Sequence, residues 1–318
     1  MLTAFSTLAC PDWSWDEIVK NGSAWGYDGV EVRLLQRETD LLARPEFAFA
    51  QLDQRRRELE QHRFRVAGLA SSVRFDSPDP AERQEQIRIG QRYVDLAREL
   101  GSEFVRVFGD QLPPADQPEN RRCMYQQVAD GLLALGDYAA DHRIQILLET
   151  HGDFVSSQPV AELFEKVSHP WVNVLWDTHH PWRFCGEPVR ESFARLQPWI
   201  RHTHWKDSVV RPDKSLTAEM QIAKAEASRL MAGHRDADYV LFGEGEFPAR
   251  ECLHCLLQAG YQGWFSYEWE KAWHPEIAPP EIALPPFPKK LAEFAEAVRA
   301  GMAAADQPVA GQQIQQQQ

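Results

Sequence analysis

Four apolar runs in the second half of the chain each lead into a side chain that can ligate a cation. The run 144–148 ends in Glu149, 172–176 ends in Asp177, 199–203 leads to His204, and 264–267 ends in Glu268. Taken singly, each has an ordinary alternative. A carboxylate after an apolar run also serves as a first loop residue or a helix N-cap, and a lone histidine usually has a structural role. Their joint occurrence at the ends of consecutive predicted strands is what points to one site. A barrel of parallel strands gathers successive strand ends on one rim, so the four side chains are expected to converge there. Two glutamates, an aspartate and an imidazole about a common point suit one divalent ion, Mn2+ or Mg2+ first, with Co2+, Fe2+ and Zn2+ as alternatives.

The elements that must position these residues follow from the rest of the chain. Short β-rich runs alternate with longer helical patterns, the signature of repeated βα units. Strands are expected at 2–9, 29–34, 64–73 and 103–108, before the four runs above. Ser14 and Glu17 are spaced as a capping box that opens the first helix. A charged helix is expected over 46–62. Another begins at Pro80, carries Ile87, Val94, Ala97 and Leu100 at helical spacing, and stops at Gly101. A fourth covers 118–142, with Met124, Val128, Leu132 and Leu135 on one face. A long connection, 208–248, separates the seventh strand from the seventh helix. It holds an expected helix near 217–234 and the loop Gly243-Glu244-Gly245-Glu246, and could serve as a lid or a subunit contact. Helix 248–259, a proline-rich extended segment at 279–288 and a closing helix at 289–303 complete eight units. The fold class is therefore α/β, a (β/α)8 TIM barrel. Residues 1–304 are read as one domain with an insertion, and 305–318 as a disordered Gln-rich tail.

Composition narrows the partners. The chain has 318 residues, 43% hydrophobic and 25% charged, long enough for one barrel of about 250 residues with insertions. A formal net charge of -13 argues against a nucleic-acid backbone as partner. No run is long and apolar enough to span a bilayer, and the N-terminal MLTAFSTLACPDW lacks the basic start of a signal peptide. Five cysteines, an odd number, give no disulfide framework and indicate a reducing, cytoplasmic setting.

The segments GYDGVEVR (26–33), ILLETHGDF, VLWDTHHPW, RHTHWKDS and GWFSYEWEKAWHPE (263–276) together resemble the xylose isomerase-like TIM-barrel superfamily, in its sugar phosphate isomerase/epimerase branch. The resemblance covers nearly the whole chain. It implies Glu149, Asp177, His204 and Glu268 as metal ligands, with Glu149 and Glu268 doubling as acid/base groups on opposite faces of the substrate. Asp177 and His180 are similar to the family's Asp-x-x-His motif, whose histidine helps bind substrate. The implied activity is a divalent-metal-dependent sugar isomerase or epimerase acting through an enediolate on a ketose, polyol ketone or keto-glycoside, with no membrane partner and a possible homo-oligomer. The alternative on the same site is a lyase or dehydratase of an inosose or 3-keto-glycoside, since an enediolate can also expel a β-hydroxyl. The metal would offset the negative charge that develops on oxygen as a proton leaves the neighbouring carbon.

Residues outside the four ligands must choose among these outcomes. Some ketose epimerases of the family carry a further Glu several residues after the first; here that stretch reads Thr150 to Val155, with His151 and Asp153 as possible substitutes. Arg106 and Lys206 could hold substrate oxygens or a carboxylate, or simply pair within the rim. Glu31 shares that ambiguity. His202 has the same facing as His204 and could support it from behind. Of eleven tryptophans, Trp176, Trp182, Trp205, Trp269 and Trp273 lie in or beside these segments; most are expected to fill the core, with one or two, Trp182 foremost, lining the pocket. Cys252 and Cys255 lie in a predicted helix and read as packing. The run Arg55-Arg56-Arg57 reads as a solvated face. A three-zinc DNA-repair barrel would need histidines at the third and fourth strand ends, where Ser71-Ser72-Val73-Arg74 and Phe108-Gly109-Asp110 stand. A non-catalytic sugar-binding barrel is disfavoured by the complete ligand set.

Overall fold

The structure, a computed structural model, describes residues 1–210 and 237–305. Eight parallel strands close into a barrel: β1 (Leu2–Ser6), β2 (Gly29–Val32), β3 (Arg65–Arg74), β4 (Phe104–Phe108), β5 (Gln145–Glu149), β6 (Val172–Asp177), β7 (Ile200–Trp205) and, last in the chain, β10 (Trp264–Tyr267). Closure comes where β1 pairs with β10, Leu2 opposite Trp264. A closed parallel sheet leaves no open edge and is buried on both faces, which is why the strands read as near-continuous apolar runs.

Helices return the chain outside the barrel. Ser14 and Glu17 do form the capping box at Trp15–Ala24. Pro80 opens Pro80–Leu100, and Gly101 ends it in the left-handed conformation, at φ 68°. Pro118–His142 has the expected bounds. Three expectations shift. The first strand stops at Ser6 and a 3-10 turn takes Thr7–Ala9. The charged helix starts at Phe49, after a 3-10 turn at Pro45–Phe47. Within it Arg55 is buried and pairs with Glu58 at 3.0 Å, so only part of the basic run faces solvent. The segment 279–288 is not extended: Pro280–Ala283 is a helical turn and the closing helix already begins at Phe287. Proline at the first helical position has its φ preset and loses no hydrogen bond there, so a proline-rich stretch can start helices as well as break them.

The connection after β7 is anchored to the barrel at both ends. β8 (Asp207–Val209) pairs antiparallel with β9 (Asp238–Val240), placing Ser208 opposite Tyr239. The Asp207 carboxylate accepts from the backbone N–H groups of Gly243, Gly245 and Phe247 at 2.9, 3.0 and 3.0 Å. A Cβ at Gly245 would lie 2.1 Å from Asp207 Oδ1, so only glycine lets the backbone wrap that carboxylate. The helix expected near 217–234 and the Gln-rich tail lie outside the described residues. Among the described residues no helix is long and apolar enough to cross a membrane.

Candidate active site

Each candidate side chain projects from a strand end into the barrel mouth. Glu149 and Asp177 are the last residues of β5 and β6, His204 is the penultimate residue of β7, and Glu268 follows β10 directly. Cross-strand register puts Asp177 beside His204, and the Glu268 N–H donates to Trp205 O at 2.9 Å. One ligand atom from each of the four lies within 4.8 Å of the others, and all four residues are buried. His204 Nδ1 is 3.3 Å from Glu149 Oε1, 3.3 Å from Glu268 Oε2 and 3.9 Å from Asp177 Oδ2.

His204 Nδ1 is buried without a hydrogen-bond partner, and Asp177 Oδ2, equally buried, lies 2.9 Å from the Lys206 ammonium. An orphaned nitrogen at such depth is costly, and here it faces one point shared with three carboxylates. That arrangement fits a divalent ion held by Glu149, Asp177, His204 and Glu268.

The surroundings fix these four side chains in place. The other Asp177 oxygen, Oδ1, accepts from the backbone N–H groups of His179 and His180 at 2.9 and 2.8 Å. Behind His204, the Nε2 atom lies 2.9 Å from both oxygens of Glu31, which also accepts from His202 Nε2 at 2.8 Å. An ionised carboxylate can only accept, so Nε2 carries the proton and Nδ1 of the neutral ring keeps its lone pair for the mouth. Burial alone would raise the Glu31 pKa, but the two imidazoles outweigh it and hold the group well below the usual carboxylate range. Glu31 and His202, ambiguous in the sequence, thus back the site.

Beside the four stands a second constellation. The Lys206 ammonium is buried 2.9 Å from Asp177 Oδ2, 2.6 Å from Glu270 Oε1 and 2.9 Å from His180 Nε2, and it pairs closely with Glu268. His180 Nδ1 faces the Thr150 carbonyl at 3.2 Å, which assigns its proton to Nδ1 and leaves Nε2 to accept from Lys206. Burial would lower the Lys206 pKa; Asp177, Glu268 and Glu270 outweigh that and raise it well above the ordinary value. For Glu149, burial is outweighed by Arg106, whose Nε is 3.3 Å away, and by His204, bringing the carboxyl down to about 2. Glu268 is likewise held far below its usual range by His204 and Lys206 against burial.

Of the remaining expected substrate contacts, Arg106, Lys206 and His180 reach this cluster. His151 is half-buried at its edge, its Nδ1 3.1 Å from Asp110 Oδ1 and its ring 6.0 Å from that of His180. Trp182 does not reach the four carboxylate and imidazole groups; its ring packs on His179 at 5.6 Å and Phe247 at 5.5 Å. Trp176, Trp205 and Trp269 are core residues, and Cys252 and Cys255 pack in the same core. Two residues that the sequence reading passed over join the site. Glu270 shares the facing of Glu268, two residues on, and contacts Lys206. Tyr239 comes from the far end of the insertion, its hydroxyl 3.4 Å from Glu270 and its ring centroid 6.0 Å from Lys206 Nζ.

Residues 19–296 match the family described as the xylose isomerase-like TIM barrel. The chain belongs to this family. Among curated relatives, it is 30% identical over 141 residues to a 3-dehydroshikimate dehydratase of Bacillus anthracis, covering 44% of this chain and 47% of that protein. It is 23% identical over 273 residues to an inosose dehydratase of Mesomycoplasma hyopneumoniae (strain 7448), covering 82% of each. The match to the first of these spans about half of that relative's length. Among solved structures, an L-ribulose 3-epimerase superposes with a TM-score of 0.73 at 13% identity over 98% of this chain and 100% of the other. At that identity the likeness speaks for the xylose isomerase-like fold.

Proposed function

We propose that this protein is a divalent-metal-dependent dehydratase, a lyase that removes water from a cyclic β-hydroxy ketone. A bound ion at Glu149, Asp177, His204 and Glu268, Mn2+ or Mg2+ by donor hardness, would polarise the ketone and offset the charge that builds on its oxygen.

The observation that carries the lyase reading is the unlike company of the two glutamates. Glu149 sits beside Arg106, whose guanidinium keeps its protons. Glu268 sits against Lys206, an ammonium that can give one up. A site built to invert a carbon is served by two equivalent acid/base groups; this one has a carboxylate on one side and a proton donor on the other. In the reaction Glu149 takes the proton from the carbon next to the carbonyl. The electron pair forms the new C=C bond as the β-carbon–oxygen bond breaks. Lys206 delivers a proton to the departing oxygen, so that water leaves. The raised Lys206 pKa does not forbid this, because a departing hydroxide is a strong base (water pKa about 15.7) and takes up the proton as it forms. His180, accepting from Lys206, and Glu270 and Tyr239 beside it keep the ammonium aimed. The curated relatives, named as dehydratases, agree with this reading.

Isomerisation or epimerisation of a ketose is the second reading. It is favoured by the even placement of Glu149 and Glu268, each 3.3 Å from His204 Nδ1. One experiment separates the two. The metal-loaded protein is incubated in D2O with an inosose, 3-dehydroshikimate and a panel of ketohexoses, following ultraviolet absorbance and NMR. Loss of water with a new conjugated chromophore is expected. Deuterium entry at an inverted or neighbouring carbon, with every hydroxyl retained, would replace the lyase reading by the isomerase one.

A further inference from the structure

Two cationic side chains at the barrel mouth have donors that the water-loss chemistry leaves idle. Arg33 lies two residues beyond Glu31, directly after β2 ends at Val32, on the rim that carries the site. Arg106 stands two residues beyond Phe104, whose ring belongs to the apolar cluster that fills the lumen below. Arg106 is 2% exposed, and its guanidinium carbon lies 3.8 Å from the Phe108 ring centroid. Its Nε makes an ion pair with Glu149 without hydrogen-bond geometry, and its Nη1 is buried with no partner. Nη1 of Arg33 is also buried with no partner. Among the described residues no carboxylate comes within ion-pair distance of Arg33. After burial, repulsion from Arg106 is the main influence bringing the Arg33 pKa down to about 10, against Tyr93, Glu149 and Glu268, which raise it.

Buried guanidinium donors without acceptors are costly, and a ligand that supplies the acceptors removes that cost. Guanidinium forks match the planar pair of oxygens of a carboxylate. Charge also selects the ligand. Arg106 pairs with Glu149, whereas no carboxylate among the described residues pairs with Arg33, so a ligand anion would supply that partner. We propose that Arg33 and Arg106 form a clamp for a carboxylate on the substrate, so that the ring ketone taken by this site is an acid rather than a neutral polyol ketone. The clamp rests on the reading of the site as one for ring hydroxy ketones. It adds the handle by which such a ring is oriented over Glu149 and Lys206.

Binding of inert probes tests the clamp separately from turnover. Quinate, its methyl ester, myo-inositol and glucose 6-phosphate are titrated calorimetrically into the full chain, with Mg2+ and after chelation. Quinate is expected to bind roughly thirtyfold or more tightly than the ester or myo-inositol. That preference should collapse in Arg33→Gln and in Arg106→Gln, and return in part in Arg33→Lys. Equal affinity for quinate and its methyl ester in the unmodified protein overturns the clamp, and so does a full preference retained in Arg33→Gln. Tighter binding of glucose 6-phosphate than of quinate overturns it in favour of a phosphate. The unmodified protein alone decides the first comparison, so a variant that fails to fold does not rescue the idea. If quinate is preferred but no ring ketone loses water, the clamp stands and the lyase reading falls. If a neutral inosose loses water as readily as an acidic ring ketone and quinate has no advantage, the lyase stands and the clamp falls.

Discussion

The barrel lumen has two layers that differ by one step of strand alternation. In the lower layer Phe104, Leu147 and Leu175 pack together on β4, β5 and β6, and Ala4, Ala67 and Trp264 pack on β1, β3 and β10. Two residues further along the same strands stand Arg106, Glu149 and Asp177. On β7 the same step leads from His202, whose ring is 4.4 Å from Phe104, to His204. Strand geometry is common to both layers; only the side chains change. The lower layer removes apolar surface from water and stabilises the fold. The upper layer buries ionised groups whose mutual attraction only partly offsets their lost hydration, a balance that the proposed cation and substrate would complete.

Substitutions should therefore separate the layers cleanly. The largest effect belongs to the upper one. Glu149→Gln and Lys206→Met are each expected to reduce kcat by roughly 10²–10⁴-fold, and a chelator should abolish turnover in the unmodified protein. Steady-state kinetics on the substrate found by the D2O screen reads this directly; turnover retained in Glu149→Gln would remove the proposed base. In the lower layer, Leu147→Ala should cost about 2–5 kcal/mol in denaturant unfolding and leave metal affinity unchanged. A large loss of metal affinity there would mean that the layers are not separable.

The link between layers is Glu31. Glu31→Gln is expected to weaken metal binding roughly 10–100-fold, read by competition with a fluorescent chelator. It should also let the His204 proton redistribute between its nitrogens, visible in long-range 15N correlation spectra. An unchanged tautomer and affinity would reduce Glu31 to a packing residue. The smallest signal is a proton count. In the metal-free protein, burial disfavours charged His204, yet Glu268, Glu31 and Glu149 outweigh it and raise its pKa well above 6.5. A raised imidazole pKa contributes stability that is full below the unfolded value near 6.5 and lost as pH rises through the folded value. A metal must displace that proton, so metal affinity should climb with pH while metal-free stability falls. At pH 7.5 binding should release about one proton, measured by calorimetry in buffers of different ionisation enthalpy. Buffer-independent heats would contradict this.

The upper layer was legible in the sequence where a proposed ligand directly follows an apolar run. Glu149, Asp177 and Glu268 announce themselves that way, while His204 follows the mixed stretch 199–203 and stands out through the His-x-His spacing with His202. Arg33 and Glu270 do not, because each lies past the last strand residue; a step of two positions beyond Glu31 and Glu268 would have found both. Tyr239 carries no local signal at all, since its place depends on β9 folding back onto β8 across a long connection. The barrel itself was readable from alternation and helix stops. The exceptions were short 3-10 turns and the proline segment 279–288, where one residue type can open a helix or forbid it.

The central claim is that Glu149, Asp177, His204 and Glu268 hold one ion. Anomalous X-ray scattering from crystals of the Mn2+-loaded protein tests it most directly. The expected result is a single strong peak in the barrel mouth, about 2.0–2.4 Å from His204 Nδ1 and from one oxygen of each of the three carboxylates. A peak bound elsewhere, or fully supplemented crystals in which Lys206 alone neutralises the four, would contradict the account.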